Sequence, residues 1–165
     1  MIALSHNKKK QQTINKEINF SGIGLHSGEN SNVKIEPSDT NSGINFIRTD
    51  FSDNNKIEAL WHNVTSTHLS TTISNKENIS VSTIEHLMSA LCGTHVDNVN
   101  IYVDGPEIPI MDGSSKPFVE LIEKAGLRSQ SLNRKIIKVK KDILVTEGDK
   151  FIKISPFPQS THSSI

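Results

Sequence analysis

Two stretches of apolar residues at helical spacing interrupt a chain in which apolar and polar residues otherwise alternate. In the first stretch, "VSTIEHLMSALCG" at residues 81–93, one stripe is formed by Ile84, Leu87, Met88 and Leu91. In the second, the stripe is formed by Phe118, Leu121, Ile122 and Ala125, with Gly126 at its end. A 3.6-residue period buries one side of a helix, whereas a period of two buries one face of a sheet. The sequence therefore predicts an α+β fold, a two-layer sandwich in which an antiparallel-rich sheet packs on two helices.

The alternating segments mark the expected strands of that sheet. Their inward residues are predicted to be Ile14, Ile18 and Phe20, then Val33 and Ile35, Ile44 and Phe46, Ile57, Ala59 and Trp61, and finally Val99, Ile101 and Val103. The runs "SGIGLHSG" and "SDTNSG" are expected to form turns, because Gly, Asn, Asp and Ser favour turn conformations. Most of the sheet is therefore expected before the first helix, with one strand between the helices.

Changes in pattern divide the chain into three parts. Residues 1–12, which include the basic run "KKK", are expected to form a disordered tail, and residues 13–128 the sandwich domain. The polar stretch "RSQSLNR" has no period and is typical of a linker. Residues 133–165 then contain "KIIKVKKDILV", "EGD" and "KFIKI", which predict a β-hairpin with a glycine turn. One hairpin cannot bury a core, so this part is expected to be the truncated start of a second α+β domain.

Composition and charge exclude several classes of protein. The 165 residues carry 18 Lys+Arg and 18 Asp+Glu, a formal net charge of +0, and 5% aromatic residues, which disfavours binding to nucleic acid. No run approaches the ~20 apolar residues of a membrane span, and the N-terminal lysines follow the short apolar run, the wrong order for a signal peptide. The sequence therefore predicts a cytoplasmic protein. Its single cysteine, Cys92, is expected to be a packed thiol of the first helix.

A glutamate and a histidine are adjacent at the start of the first helix. Ser82 and Glu85 have the S-x-x-E spacing of a capping box, in which each side chain binds the free backbone N–H of the other residue. The pair Glu85-His86 also fits a metal site, because a carboxylate beside a metal ligand can take the proton of an attacking water. One histidine is not a zinc site, however, since catalytic zinc takes three protein ligands. The spacing leaves both interpretations open.

The remaining histidines show no metal-site spacing. His26, in "GIGLHSG", is expected to be an exposed residue of a turn, because that run lacks both glycine-rich phosphate-binding patterns. His68 lies among hydroxyl residues in "STHLSTTIS", which is typical of a polar loop or an edge strand. Ser160 and His162, near the end of the chain, show no specific pattern of a catalytic pair. Spacing alone therefore adds no ligand to His86.

Four segments together closely resemble one enzyme family. These are "GIGLHSG", "STIEHLMSALCGTHVDNVNI", "GPEIPIMDGSSKPFVELIEKAG" and "EGDKFIKISPF". In this order they resemble the UDP-3-O-acyl-N-acetylglucosamine deacetylases, which carry out the committed deacetylation of lipid A synthesis in Gram-negative bacteria. The resemblance extends from about Thr13 to Pro158. It implies a pair of α+β two-layer sandwiches that face each other, with the active site between them.

The resemblance also implies roles for five residues. Glu85 would be the general base that activates zinc-held water, and His86 would be a zinc ligand. Leu69, Ser70 and Thr71 would lie on the loop that lines the site beside the metal and binds the substrate. The implied cofactor is Zn²⁺, and the implied substrate is the nucleotide-sugar lipid UDP-3-O-acyl-N-acetylglucosamine.

The chain also departs from the family. Members run to roughly twice this length, and their further zinc ligands, in an H-K-x-x-D pattern, lie in the second half with the histidine general acid and the element that holds the acyl chain. We therefore expect this chain to be a truncated N-terminal half that is inactive alone and that a separately encoded second half could complete. The alternative is a non-catalytic folded remnant or interaction module, in which Glu85 is only a helix cap.

Overall fold

A computed structural model describes residues 10–135 and 137–156. Contacts between residues divide the chain after Arg134 into two compact units. The described part of the first unit contains both helices and most of the strands, and that of the second contains a β-hairpin. Residues 1–9 of the expected tail, and the C-terminal Ser160 and His162, lie outside the described residues.

The described residues form twelve strands and two α-helices. In chain order these are β1 (Lys10–Ile14), β2 (Ile18–Ile23), β3 (Asn30–Pro37), β4 (Ile44–Arg48), β5 (Lys56–Glu58), β6 (Val64–Ser66), β7 (Thr72–Ser74), β8 (Ser80–Val81), α1 (Glu85–Gly93), β9 (Val99–Val103), α2 (Lys116–Ala125), β10 (Leu127–Asn133), β11 (Ile143–Glu147) and β12 (Lys150–Ile154). A short 3-10 turn, Trp61–Asn63, lies between β5 and β6. The α+β class predicted from the sequence is confirmed.

The main sheet has five strands in the order β2-β3-β9-β4-β5. Strand β4 runs parallel to β9, and the other neighbours are antiparallel. Val33 lies opposite Val103 and Ile35 opposite Ile101, so residues two apart on each strand share one face. These four side chains are buried, as the alternation predicts. A smaller sheet, β6-β7-β8, precedes helix α1.

Both helices bury the apolar stripes that their sequences predict. The residues buried most fully are Leu87, Ala90 and Leu91 in α1, and Phe118, Ile122 and Ala125 in α2. They join the inward side chains of the main sheet in one apolar cluster. Gly126 ends α2 with a φ of 74°, a left-handed conformation that glycine adopts without strain. Within the described residues, neither helix is long and apolar enough to cross a bilayer.

The strand expected over Ile57, Ala59 and Trp61 is shorter than predicted. Strand β5 ends at Glu58, and Trp61 lies in the 3-10 turn, where it is 85% exposed. Ile57 is buried as expected. The chain leaves the sheet because the Leu60 N–H turns back to the Glu58 carbonyl, at 2.8 Å. The predicted inward position of Trp61 was therefore wrong.

The polar stretch expected to be a linker is strand β10. It pairs antiparallel with β1, so that Ile14 lies opposite Leu127. Most of its side chains are exposed, and no apolar period marks it in the sequence. Gln130 anchors it to the rest of the first unit, because its side chain accepts a hydrogen bond from the Asn98 amide at 2.7 Å and donates one to the Ser38 carbonyl at 2.8 Å. The linker prediction was wrong because hydrogen bonds, not apolar burial, hold this strand.

Strand β1 begins inside the expected N-terminal tail. Lys10 is its first residue, three positions before the expected start of the sandwich. Gln11 is buried, and its side-chain oxygen accepts hydrogen bonds from the Asn41 N–H at 3.0 Å and from the Asn98 amide at 2.9 Å. Hydrogen bonds therefore order the first residues of β1, which show no pattern of apolar residues in the sequence.

The described part of the second unit contains the predicted β-hairpin, formed by β11 and β12. The first strand begins only at Ile143, so residues 137–142 of the expected strand "KIIKVKKDILV" lie before it and form no strand. Ile143 pairs with Ile154 and Glu147 with Lys150, around a turn in which Gly148 has a φ of 60°. Every residue of both strands is exposed. The hairpin thus presents apolar side chains such as Val145 without burying them.

Candidate active site

Helix α1 begins at Glu85, and no side chain binds at its N-cap position, which is Ile84. Ser82 and Glu85 therefore do not form the capping box that their spacing allows. The reason lies at Thr83, whose φ of 56° is left-handed and cannot belong to a right-handed helix. Thr83 separates Ser82 from the helix. The interpretation of Glu85 as only a helix cap was therefore wrong.

Ser82 is held instead by the segment around Glu107. The Ser82 N–H donates to the Pro106 carbonyl at 2.9 Å, and the Ser82 carbonyl accepts from the Ile108 N–H at 3.1 Å. The Ser82 hydroxyl also donates to the Pro106 carbonyl, at 3.2 Å. These contacts form a parallel β-bridge between Ser82 and Glu107. The main chain just before α1 is thus fixed by a segment more than twenty residues later.

The carboxylate of Glu85 accepts a hydrogen bond from the loop that precedes β7. The Thr71 N–H donates to Glu85 Oε2 at 3.0 Å. Leu69, two residues earlier, is exposed and has a left-handed φ of 62°, and Ser70 between them is half-buried. The structure therefore brings Glu85 to the loop that holds Leu69, Ser70 and Thr71, and Thr71 is the residue that contacts it.

His86 follows Glu85 on the first turn of α1 and is half-buried. Consecutive helix residues leave the axis about 100° apart, so the two side chains point in different directions. In the part of the chain that the structure describes, no hydrogen bond joins the His86 ring to another residue. A partly exposed imidazole of this kind can bind a metal through a free ring nitrogen.

The donor set around His86 is incomplete. Across residues 10–135 and 137–156, no group of three or more His, Cys, Asp and Glu side chains could hold a metal ion. His26 is exposed, as expected, and His68 is exposed in the loop between β6 and β7, one of the two expected positions. Because catalytic zinc takes three protein ligands, one imidazole with an adjacent carboxylate fits a part of such a site. The described residues can supply one ligand and one base.

An open apolar groove of about 480 Å³ lies beside Glu85. Its walls come from the segment after β5, from Thr71 and Ile73 in and before β7, and from helix α1 with its N-cap residue. Cys92 lines this groove and is exposed, so the prediction of a packed thiol was wrong. Ile84 at the N-cap and Met88 and Cys92 within α1 recur every four residues, so they share one side, which lines the groove.

Glu107 is a residue near this site that the sequence interpretation missed. Its side chain is 1% exposed, and it accepts hydrogen bonds from three residues of two other segments. The Thr83 hydroxyl donates to Oε1 at 2.7 Å, the His26 N–H to Oε1 at 3.1 Å, and the Ser27 N–H to Oε2 at 2.8 Å. One signal was present, because a single glutamate within "PEIPI" is a charged residue in an apolar run, and buried charges require partners.

The buried Glu107 carboxyl is held ionised by its donors. Burial by itself raises the pKa of Glu107, but the hydrogen bonds, led by the Ser27 N–H, outweigh it and lower the pKa from 4.5 to about 2. Gly24 leaves room for this arrangement, because a Cβ added there would lie 2.4 Å from Glu107 Oε2. The "GIGLHSG" run thus surrounds a buried carboxylate. This contact accounts for glycine at position 24, and no bound phosphate is needed to explain it.

We expect Glu107 to make the fold sensitive to acid. Its folded-state pKa of about 2 lies below the usual 4.5, so its contribution to stability is complete above pH 4.5 and is lost as the pH falls toward 2. A shift of this size corresponds to about 3 kcal/mol. In urea titrations at several pH values, the free energy of unfolding of the wild type should fall between pH 4.5 and pH 2. The fall should be about 3 kcal/mol larger than for Glu107→Gln. Parallel pH profiles for the two proteins would contradict the ionised carboxylate.

Comparison with known proteins identifies the family of this chain. Residues 11–164 match the family described as UDP-3-O-acyl N-acetylglycosamine deacetylase. A protein from Geotalea uraniireducens (strain Rf4), named UDP-3-O-acyl-N-acetylglucosamine deacetylase, is 49% identical over 146 residues, which are 88% of this chain and 47% of the relative. A protein of the same name from Shewanella baltica (strain OS155 / ATCC BAA-1091) is 45% identical over 147 residues, 89% of this chain and 48% of the relative. The chain spans about half the length of these curated relatives. It belongs to the UDP-3-O-acyl N-acetylglycosamine deacetylase family.

Proposed function

We propose that this chain supplies the general base and one zinc ligand for removal of the N-acetyl group from UDP-3-O-acyl-N-acetylglucosamine. Two relatives carry the name of that activity. The observation that carries the proposal is the hydrogen bond from the Thr71 N–H to Glu85, at 3.0 Å. This hydrogen bond orients the Glu85 carboxylate, which lies next to His86 in the sequence and does not cap helix α1. In a chain of this family, a carboxylate held in this way is available to act as a base.

Glu85 takes a proton from the water that attacks the acetyl carbonyl. A new carbon–oxygen bond forms, the carbon–nitrogen bond of the amide breaks, and the departing nitrogen receives a proton, so acetate and a free amine result. The Thr71 N–H holds the carboxylate in place and leaves its other oxygen, Oε1, to accept the proton. Leu69, Ser70 and Thr71 lie on the substrate side of the site. Such general-base assistance commonly contributes 10²–10⁴-fold to a rate.

His86 is the residue of this chain that would hold zinc. When bound, zinc polarises a carbonyl oxygen as a Lewis acid. Since the described residues bring one imidazole, that of His86, to this site, the other ligands and the general acid would come from outside them. Their source would be either further residues of the protein or a separately encoded second half. We infer that the chain forms one α+β two-layer sandwich of such an enzyme, that it is inactive by itself, and that it acts in the cytoplasm of a Gram-negative bacterium in lipid A synthesis.

Reconstitution tests this proposal. The full chain is fused to, or co-expressed with, the part of the Geotalea relative that it does not match. We expect zinc-dependent release of acetate from UDP-3-O-acyl-N-acetylglucosamine by the pair, no release by either part alone, and loss of activity when a chelator removes the metal. His86→Ala should abolish both metal binding and turnover. A complex that forms, binds zinc and releases no acetate would contradict the proposed function.

A further inference from the structure

We propose that Glu107 is a positioning residue for the site: through Thr83 it fixes the start of helix α1 and thereby the directions of Glu85 and His86. The inference rests on the proposed function for its effect on turnover. Its effect on the Glu85 side chain can be measured independently of any activity.

The contact that carries the inference is between two buried side chains. The Thr83 hydroxyl donates to Glu107 Oε1 at 2.7 Å, and the two residues are 2% and 1% exposed. A hydrogen bond to an ionised acceptor, away from water, is short and strong. The bond therefore constrains Thr83 more firmly than a contact with neutral groups or with solvent would.

Thr83 is the residue at which such a constraint matters. It is β-branched and has a φ of 56°, a conformation that bulky residues rarely adopt and that persists where the surroundings enforce it. The main-chain bonds on Ser82 fix the chain before Thr83, and helix α1 begins two residues after it. The carboxylate thus acts on the residue whose left-handed backbone turn comes just before α1.

Glu107 also links Thr83 to the "GIGLHSG" turn. The same carboxylate accepts the N–H groups of His26 and Ser27, at 3.1 and 2.8 Å. Three distant segments of the sequence therefore meet at one buried group, next to the turn that leads into Glu85. None of these contacts touches the Glu85 side chain, so Glu107 acts on the site through Thr83 and is not itself a catalytic residue.

The Thr71 amide reports the direction of Glu85, because it donates to Glu85 Oε2. In the full chain, Thr83→Val removes the hydroxyl but keeps the shape, and Thr83→Ser keeps the hydroxyl. We expect Thr83→Val to raise the hydrogen-exchange rate of the Thr71 amide about tenfold and to shift its NMR resonance, while Thr83→Ser stays close to wild type. The amides of the central strand β9 should be unchanged in both variants.

A matched control distinguishes positioning from general loss of stability. Asp104 is another carboxylate that binds a backbone N–H, that of Asn32 at 2.7 Å, and among the described residues it makes no hydrogen bond to Thr83 or to helix α1. Asp104→Asn should leave the Thr71 amide unaffected. Unchanged Thr71 exchange in Thr83→Val, or an increase shared equally with the amides of β9 or with Asp104→Asn, would overturn the inference.

The reconstituted enzyme gives a second readout. Thr83→Val should lower kcat about 10–100-fold with little change in KM, because a small misplacement of a catalytic group is enough for a loss of this size. Thr83→Ser should restore kcat. If the wild-type pair forms, binds zinc and is inactive, the proposed function fails, yet the Thr71 amide still tests the inference in the isolated chain. If the wild-type pair is active and Thr83→Val retains full kcat, Thr83 does not position the site.

Discussion

Replacing Glu85 with glutamine in the reconstituted enzyme should lower kcat by about 10²–10⁴-fold, because the amide cannot take a proton from the attacking water. The side chain keeps its size and retains an oxygen that can accept the Thr71 N–H, a bond of 3.0 Å in the wild type. The free energy of unfolding should therefore change by less than ~1 kcal/mol. Glu85→Ala should lose as much turnover while the protein still binds zinc. Acetate release and urea titration of the same preparations separate the two effects.

A surface glutamate provides the matched control for this substitution. Glu123 lies on α2 and is exposed, so Glu123→Gln should leave both turnover and stability close to wild type. A reconstituted pair that docks, binds zinc and turns over at the wild-type rate with Glu85→Gln would show that Glu85 is not the base. A large loss of stability with retained turnover per folded molecule would assign Glu85 a structural role, through its bond to the Thr71 loop.

Replacing Phe118 with alanine should destabilise the first unit by about 3–5 kcal/mol. Phe118 is 1% exposed, and its ring meets the ring of Phe20 edge-on, with centroids 5.5 Å apart. Truncation removes buried apolar surface, leaves a cavity between α2 and the main sheet, and also loses the favourable aromatic geometry. The loss should appear as a lower urea midpoint with an unchanged slope.

Trp61 is the control for that prediction, since it is a larger aromatic residue with 85% of its surface exposed. Trp61→Ala should change the free energy of unfolding by no more than ~0.5 kcal/mol. Equal losses for the two substitutions would mean that Trp61 packs as the sequence predicts or that α2 does not cover the sheet. A smaller loss for Phe118→Ala than for Trp61→Ala would contradict the core as described.

The sequence by itself determined the elements whose burial is periodic. The stripe that includes Leu87 and Leu91 predicts α1, and the stripe that includes Phe118 and Ile122 predicts α2, because a helix that buries one side must repeat apolar residues every three or four positions. Alternation in β3 and β9 predicts the centre of the sheet in the same way. The adjacency of Glu85 and His86 raised them as a candidate site and left their roles open. Family resemblance, and not spacing, assigned those roles and added the loop of Leu69, Ser70 and Thr71.

Tertiary structure alone decided the features that depend on contacts between distant segments. Strand β10 has no apolar period, and its pairing with β1 and the hydrogen bonds of Gln130 order it. The S-x-x-E spacing of Ser82 and Glu85 satisfies a local rule, but the segment around Glu107 binds Ser82 and holds Thr83 in a left-handed turn, so the helix begins later. Local patterns record what a residue prefers among its neighbours in sequence, whereas a buried carboxylate with three donors from two other segments exists only once the chain has folded around it.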